Sequence, residues 1–281
     1  MIKVGIRAHD MGKYSLEEFS NLLSTIKDLD GQCIQLALGK SFTDFKVSKE
    51  ALNMKLSSYL KCDLERENIK LSVLGCYINM GNPDKDKRDQ EIEKFKYHLD
   101  FSKNFPKCVV GTETGYLSTD YTYTPLNDSL EAWTIFLDTL EKLVIYAEKT
   151  GTSVAIEGVK KDIISTPEKM ELVLKKIPSE SLKVIFDPVN FLDLNNFQDQ
   201  KSIIEKSFKL FADRIEIIHL KDFKIENGDF KVVPIGEGIF DIGTLMECIK
   251  EYKLNVDVLL ENSNIETAKK CIDFIKKMNK N

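Results

Sequence analysis

Four apolar runs in the second half of the chain each close on a side chain able to bind a metal ion or move a proton. They read Ala155-Ile-Glu157, Ile185-Phe-Asp187, Ile217-Ile-His219 and Leu259-Leu-Glu261. The closing residues are separated by 30, 32 and 42 positions. The first two spacings equal one strand-plus-helix unit, and the third equals one unit plus an insertion. Strands that end alike place Glu157, Asp187, His219 and Glu261 around a single mouth, where polar strand ends carry chemistry in a parallel barrel. Three carboxylates converging there repel one another and resist ionisation unless a counter-charge is present. A divalent cation provides one. Carboxylate oxygens with one imidazole suit Mn²⁺ or Mg²⁺, with Co²⁺ and Zn²⁺ as alternatives.

The rest of the sequence supplies the elements that would position these groups. Eight short β-rich runs occur, at 2–6, 33–38, 71–74, 108–110, 153–156, 183–186, 215–218 and 256–260. Each is nearly continuous in apolar character, as strands buried on both faces are. Amphipathic stretches lie between them, such as Phe19, Leu22, Leu23, Ile26 and Leu29 at helical spacing. Ser15-Leu-Glu-Glu18 and Ser263-Asn-Ile-Glu266 fit capping boxes, and Thr166-Pro167 places a cap before a first-turn proline. The alternation runs through 281 residues without a linker, which predicts a single-domain (β/α)8 TIM barrel over 1–281. An open doubly wound sheet would normally carry a Gly-rich turn after its first strand, and here that strand leads into Arg7-Ala-His-Asp10. Residues 221–241 depart from the repeat. Glu226-Asn-Gly-Asp229 is a hairpin turn signal, so a β-hairpin insertion is expected after the seventh strand.

The ordered set IEG, FDPVN, IHLKD and LLEN, with PIGEGIFD before the last, resembles the xylose-isomerase-like TIM-barrel superfamily, and within it the sugar phosphate isomerase/epimerase group that includes ketose 3-epimerases. The resemblance covers the whole chain in order. It implies one metal ion, often manganese, held by Glu157, Asp187, His219 and Glu261, with Glu157 and Glu261 also acting as acid and base. The chemistry agrees. Isomerising or epimerising a sugar removes a proton beside a carbonyl, which needs a carboxylate base and a Lewis acid to hold the enediolate charge. Two carboxylates on opposite sides of a substrate would invert a centre. Asn190 stands where many members carry histidine; its amide can hydrogen-bond a hydroxyl but cannot shuttle a proton. Gln35 stands where many members end the second strand with glutamate.

Further substrate-binding candidates are Asn190, Glu113 after the fourth strand, Lys221 and Lys224 after His219, Tyr77 (with Asn79) in the loop after the third, and Arg7 at the end of the first. A structural ion pair is an equal reading for Arg7. His98, in a charged helical stretch, reads as a surface or rim residue.

The net charge is −5 and the pI about 5.5, with no basic stripe, so nucleic acid is not the expected partner. No apolar run approaches the ~18 residues of a membrane span, and the N-terminal run is broken by Arg7, His9 and Asp10. The expected location is the cytoplasm. The six cysteines form no CxxC pair and read as buried hydrophobes. The expected activity is that of a divalent-metal-dependent isomerase or epimerase on a sugar or sugar phosphate, with homo-oligomerisation left open. A sugar dehydratase would use the same site and first step, and a sugar-binding barrel without turnover would use the same pocket. An apurinic-site endonuclease-like phosphodiesterase would need more histidines than His9, His98 and His219.

Overall fold

The computed structural model describes residues 2–280. Ten strands are formed by the described residues: β1 (Lys3–Arg7), β2 (Cys33–Leu36), β3 (Lys70–Gly75), β4 (Val109–Glu113), β5 (Val154–Glu157), β6 (Leu182–Phe186), β7 (Ile215–Leu220), β8 (Asp222–Glu226), β9 (Asp229–Val233) and β10 (Asp257–Leu260). The α-helices among them are α1 (Phe19–Asp28), α2 (Leu38–Ser41), α3 (Met54–Glu67), α4 (Lys85–Ser102), α5 (Leu130–Thr150), α6 (Pro167–Lys176), α7 (Gln200–Phe211), α8 (Ile242–Glu251) and α9 (Ala268–Lys280). Strands β1 to β7 and β10 close in parallel into one barrel, with β10 between β7 and β1. Each apolar run picked out from the sequence is one of its strands.

The closure divides the core in two. Cys33, Val73, Val109, Ala155, Ile185, Ile217 and Leu259 pack against one another inside the barrel. Their outward neighbours, among them Ile34, Val110, Ile156, Ile218 and Leu260, pack against the helix stripes. Phe19, Leu22, Leu23 and Ile26 of α1 and Phe136, Leu140, Leu143, Val144 and Ala147 of α5 supply such stripes. The barrel is narrow enough to exclude side chains at points: a Cβ on Gly5 would lie 1.9 Å from the Cys33 carbonyl oxygen.

Strands β8 and β9 form the expected antiparallel hairpin, with Glu226 opposite Asp229. Asn227 and Gly228 make its two-residue turn at φ 54° and 82°, both in the left-handed region that a type I′ turn requires. The chain then folds back beside the hairpin against α9 and α7, and Asp222 fixes that return. Its Oδ1 accepts from the N–H groups of Phe223 and Phe240 at 2.8 Å, and its Oδ2 from Gly236 and Gly238 at 3.0 Å.

Local signals hold in two cases and shift in two others. The Thr166 hydroxyl accepts from Lys169 N–H at 3.3 Å ahead of α6, and the Glu18 carboxylate accepts from Ser15 N–H at 2.7 Å. Ser263 is not a cap. Asn264 Oδ1 accepts from Glu266 and Thr267 N–H at 3.0 and 3.1 Å, while the buried Ser263 hydroxyl turns to the Cys271 sulfur. His98 is buried, not at the rim. It lies three residues after Phe95 and beside Leu99, on the stripe that α4 turns to the core. Five cysteines are buried and Cys62 is exposed.

Two predictions follow from this packing. Asp222→Ala strands four backbone N–H groups and should cost about 2 kcal/mol or more in chemical denaturation, each buried donor left alone being expensive. His98 donates from Nδ1 to the Lys94 carbonyl at 2.8 Å, and burial lowers its pKa to about 4. An unfolded histidine titrates near 6.5, so between about 6.5 and 4 the unfolded chain binds the extra proton. Stability should therefore be full above that window and fall by up to about 3 kcal/mol across it. A flatter pH profile in His98→Leu checks the assignment.

Candidate active site

Strand alternation builds the site. Ala155, Ile185, Ile217 and Leu259 face into the barrel, so the residues two positions on face inward as well, one layer higher. These are Glu157, Asp187, His219 and Glu261. By the same rule Lys221 follows His219, Gln35 follows Cys33, and Arg7 follows Gly5.

Glu157, His219 and Glu261 converge, their candidate ligand atoms lying within 4.8 Å of one another. His219 Nδ1 is 3.1 Å from Glu157 Oε2 and 3.6 Å from Glu261 Oε2. Its Nε2 meets Gln35 Oε1 at 2.8 Å, and the Gln35 amide donates to the Tyr77 hydroxyl at 3.0 Å. Asp187 reaches the same mouth but stands outside this trio. Its Oδ1 caps the short 3-10 turn Pro188–Phe191, accepting from Val189 N–H at 2.9 Å and Asn190 N–H at 3.3 Å. Its Oδ2 is buried without an aligned hydrogen bond, with Lys221 Nζ 3.1 Å away.

Lys221 is the centre of the second half of the network. Its ammonium donates to Asn190 Oδ1 at 2.6 Å and to Glu261 Oε1 at 3.0 Å. Asn190 in turn donates from Nδ2 to Glu157 Oε1 at 2.8 Å. Arg7 pairs with Asp10 through Nε at 2.8 Å and with Glu261 through a terminal nitrogen at 3.0 Å. The structural ion pair is thus formed, and it joins the ends of β1 and β10.

The charges act on one another. Burial pushes Glu261 upward, but Lys221, Arg7 and His219 reverse this and hold it at about 2. Burial dominates for Asp187 and raises it to about 6, against the pull of Lys221. Burial lowers His219, and the neighbouring Glu157 and Glu261 carboxylates more than compensate, leaving it above its ordinary value. Lys221 is raised likewise, burial being outweighed by Asp187, Glu261 and Glu157.

The neighbouring strand β4 holds Glu113, whose Cα pairs with that of Glu157. Burial, then the charges of Glu157 and Glu261, raise its carboxyl. Tyr121 lies with its hydroxyl 3.5 Å from Glu113, and Lys40 Nζ sits 3.6 Å from the centre of the Tyr77 ring. Two expected residues are not brought in. Lys224 is on the exposed hairpin, near Glu226 at 3.7 Å, because it lies beyond the point where the strand leaves the barrel. Asn79 is a loop brace: its Oδ1 accepts from Tyr116 N–H at 2.8 Å and its Nδ2 donates to the Ser118 carbonyl at 2.6 Å. Two braces went unread in the sequence, Asp222 and Asp162. The latter accepts from Thr114 and Gly115 N–H at 3.1 and 2.8 Å and ties the loop after β5 to β4. Turn carboxylates far apart in sequence carry no spacing signal.

The family model described as xylose isomerase-like TIM barrel matches residues 23–278. The chain belongs to that family. Among solved structures, a D-tagatose 3-epimerase-like protein aligns at 20% identity and TM-score 0.76, over 98% of this chain and 96% of its own. D-psicose 3-epimerase with D-tagatose from Clostridium cellulolyticum H10 aligns at 15% identity and TM-score 0.71, over 99% of each chain. An IOLI protein with a binding zinc atom aligns at 19% identity and TM-score 0.69, over 98% of this chain and 96% of that one. At these identities the likeness is one of fold. No curated protein matches the sequence. Among the described residues no helix is long and apolar enough to cross a membrane.

The donor set fits a divalent cation: three clustered ligand groups, and a fourth carboxylate oxygen buried without an aligned donor. His219→Ala should lower Mn²⁺ affinity by at least about tenfold, the scale on which changes around a metal site act. Elemental analysis of the purified protein checks this, and an unchanged metal stoichiometry would remove His219 from the ligand set.

Proposed function

We propose that this protein is a divalent-metal-dependent isomerase or epimerase that moves a proton beside the carbonyl of a sugar or sugar phosphate. The observation that carries the reading is the pairing of two carboxylates, Glu157 and Glu261, about one imidazole nitrogen at 3.1 and 3.6 Å. They arrive from non-adjacent strands, so a substrate lying over His219 would have one on either side. The family and the epimerase structures of the same fold support the same class.

Glu157, Asp187, His219 and Glu261 would hold the cation, with Mn²⁺ the first expectation and Mg²⁺, Co²⁺ or Zn²⁺ able to replace it. When bound, it would polarise the carbonyl and offset the negative charge left by proton removal. The chain's own residues divide the remaining work. Glu261 is gripped by Arg7 and Lys221, which fix its carboxylate on one side of His219. Glu157 is oriented by the neutral Asn190 amide and by His219 on the other side. Proton pick-up by one of the two carboxylates and delivery by the other in its protonated form would invert a centre.

Glu113, Tyr77 and Asn190 offer donors and acceptors suited to sugar hydroxyls. Lys40, the exposed cation over the Tyr77 ring, suits a phosphate on the far end of a substrate. A phosphodiesterase using several metals is poorly matched, since one candidate metal group with a single histidine is found among the described residues.

Turnover of a panel of ketoses and ketose phosphates in D₂O tests the reading. Solvent deuterium should enter the product at the carbon beside the carbonyl. Loss of a hydroxyl instead would identify a dehydratase, and no conversion across the panel would favour a binding protein. Glu157→Gln should lower kcat by about 10²–10⁴-fold with the circular dichroism spectrum unchanged, the range typical of a lost acid or base. Wild-type rates in that variant would take Glu157 out of the mechanism.

A further inference from the structure

We propose that Lys221 is an internal counter-ion that competes with the divalent cation for Asp187 and Glu261. The inference rests on the metal reading given above and concerns the chain's own answer to the charge that the site concentrates.

The geometry is that of a fully committed ammonium. Lys221 has three N–H donors and three acceptors in reach: Asn190 Oδ1 at 2.6 Å, Glu261 Oε1 at 3.0 Å and Asp187 Oδ2 at 3.1 Å. Two of the three belong to residues in the expected ligand set. The residue is buried, so these contacts are unscreened by water. The same ammonium accounts for the arrangement of the carboxylates. Glu157, His219 and Glu261 cluster, while Asp187 points its free oxygen at Lys221. Buried carboxylates without a cation are costly, and removing one partner of such a pair leaves an uncompensated charge. Lys221 thus offsets negative charge that the mouth concentrates. The same positive charge beside a divalent ion opposes its binding. A lysine suits this role because its charge is compact and its four-carbon stem can withdraw without moving β7. Asn190 gives the withdrawn or bound ammonium a neutral acceptor.

The test is Mn²⁺ titration calorimetry on chelator-treated wild type, Lys221→Met, Lys221→Gln and His219→Ala, with thermal melting of each in chelator and in Mn²⁺. Both Lys221 variants should bind Mn²⁺ at least about tenfold more tightly than wild type, from the loss of a nearby like charge. They should melt lower than wild type in chelator and recover with Mn²⁺. Equal or weaker Mn²⁺ affinity in a folded Lys221→Gln would overturn the proposal. If Lys221→Met does not fold in chelator, refolding on Mn²⁺ addition supports competition and failure to refold contradicts it. The His219→Ala control separates the two readings. Wild type binding through His219 with no gain in the Lys221 variants defeats the counter-ion alone. Absence of binding in every variant defeats the metal site as well.

Discussion

Burying several carboxylates at one end of a closed barrel is the constraint from which the rest of this molecule follows. Glu157 and Asp187 are buried and Glu261 stands beside them with little exposure, so water spreads their charge poorly. The surroundings answer with Arg7 and Lys221 on Glu261, His219 between the two glutamates, and Asn190 on Glu157. Each of these groups arrives by strand alternation or by a short turn at a strand end. Compensation and positioning are therefore achieved by the same residues.

The network also gives Asn190 and Gln35 their places at the mouth. Asn190 offers a donor and an acceptor on one amide, and uses the donor on Glu157 and the acceptor on Lys221. An imidazole there could do both only in one tautomer. Gln35 likewise accepts from His219 on one side and donates to Tyr77 on the other. A neutral amide in each place links polar groups of the mouth without adding to its negative charge.

The loops around the mouth are held mostly by polar side chains that take backbone N–H groups. Asp222 folds the return of the hairpin, Asp162 ties the loop after β5 to β4, and Asn79 joins the loops after β3 and β4. Asn127 adds a further tie, accepting from Leu117 N–H at 2.8 Å and donating to the Lys161 carbonyl at 2.7 Å. Such braces fix loops whose apolar content is too low to pack a core of their own.

The sequence alone pointed to the barrel: eight apolar runs with helical stripes between them call for a parallel sheet covered by helices, and the lack of a Gly-rich turn after the first strand favours closure over an open sheet. It also determined which residues end the strands, and so placed Glu157, Asp187, His219 and Glu261 at one mouth. The period of two was legible as well: Lys221 and Gln35 lie two residues from inward neighbours. What that period leaves open is where a long side chain ends. The tertiary structure decided that Lys221 reaches across to Asp187, Glu261 and Asn190, that Lys224 leaves with the hairpin, and that His98 turns inward with Phe95 and Leu99. It also decided that Asp162, Asp222 and Asn79 take backbone N–H groups. These outcomes depend on contacts between segments distant in the chain, and local spacing holds no record of them.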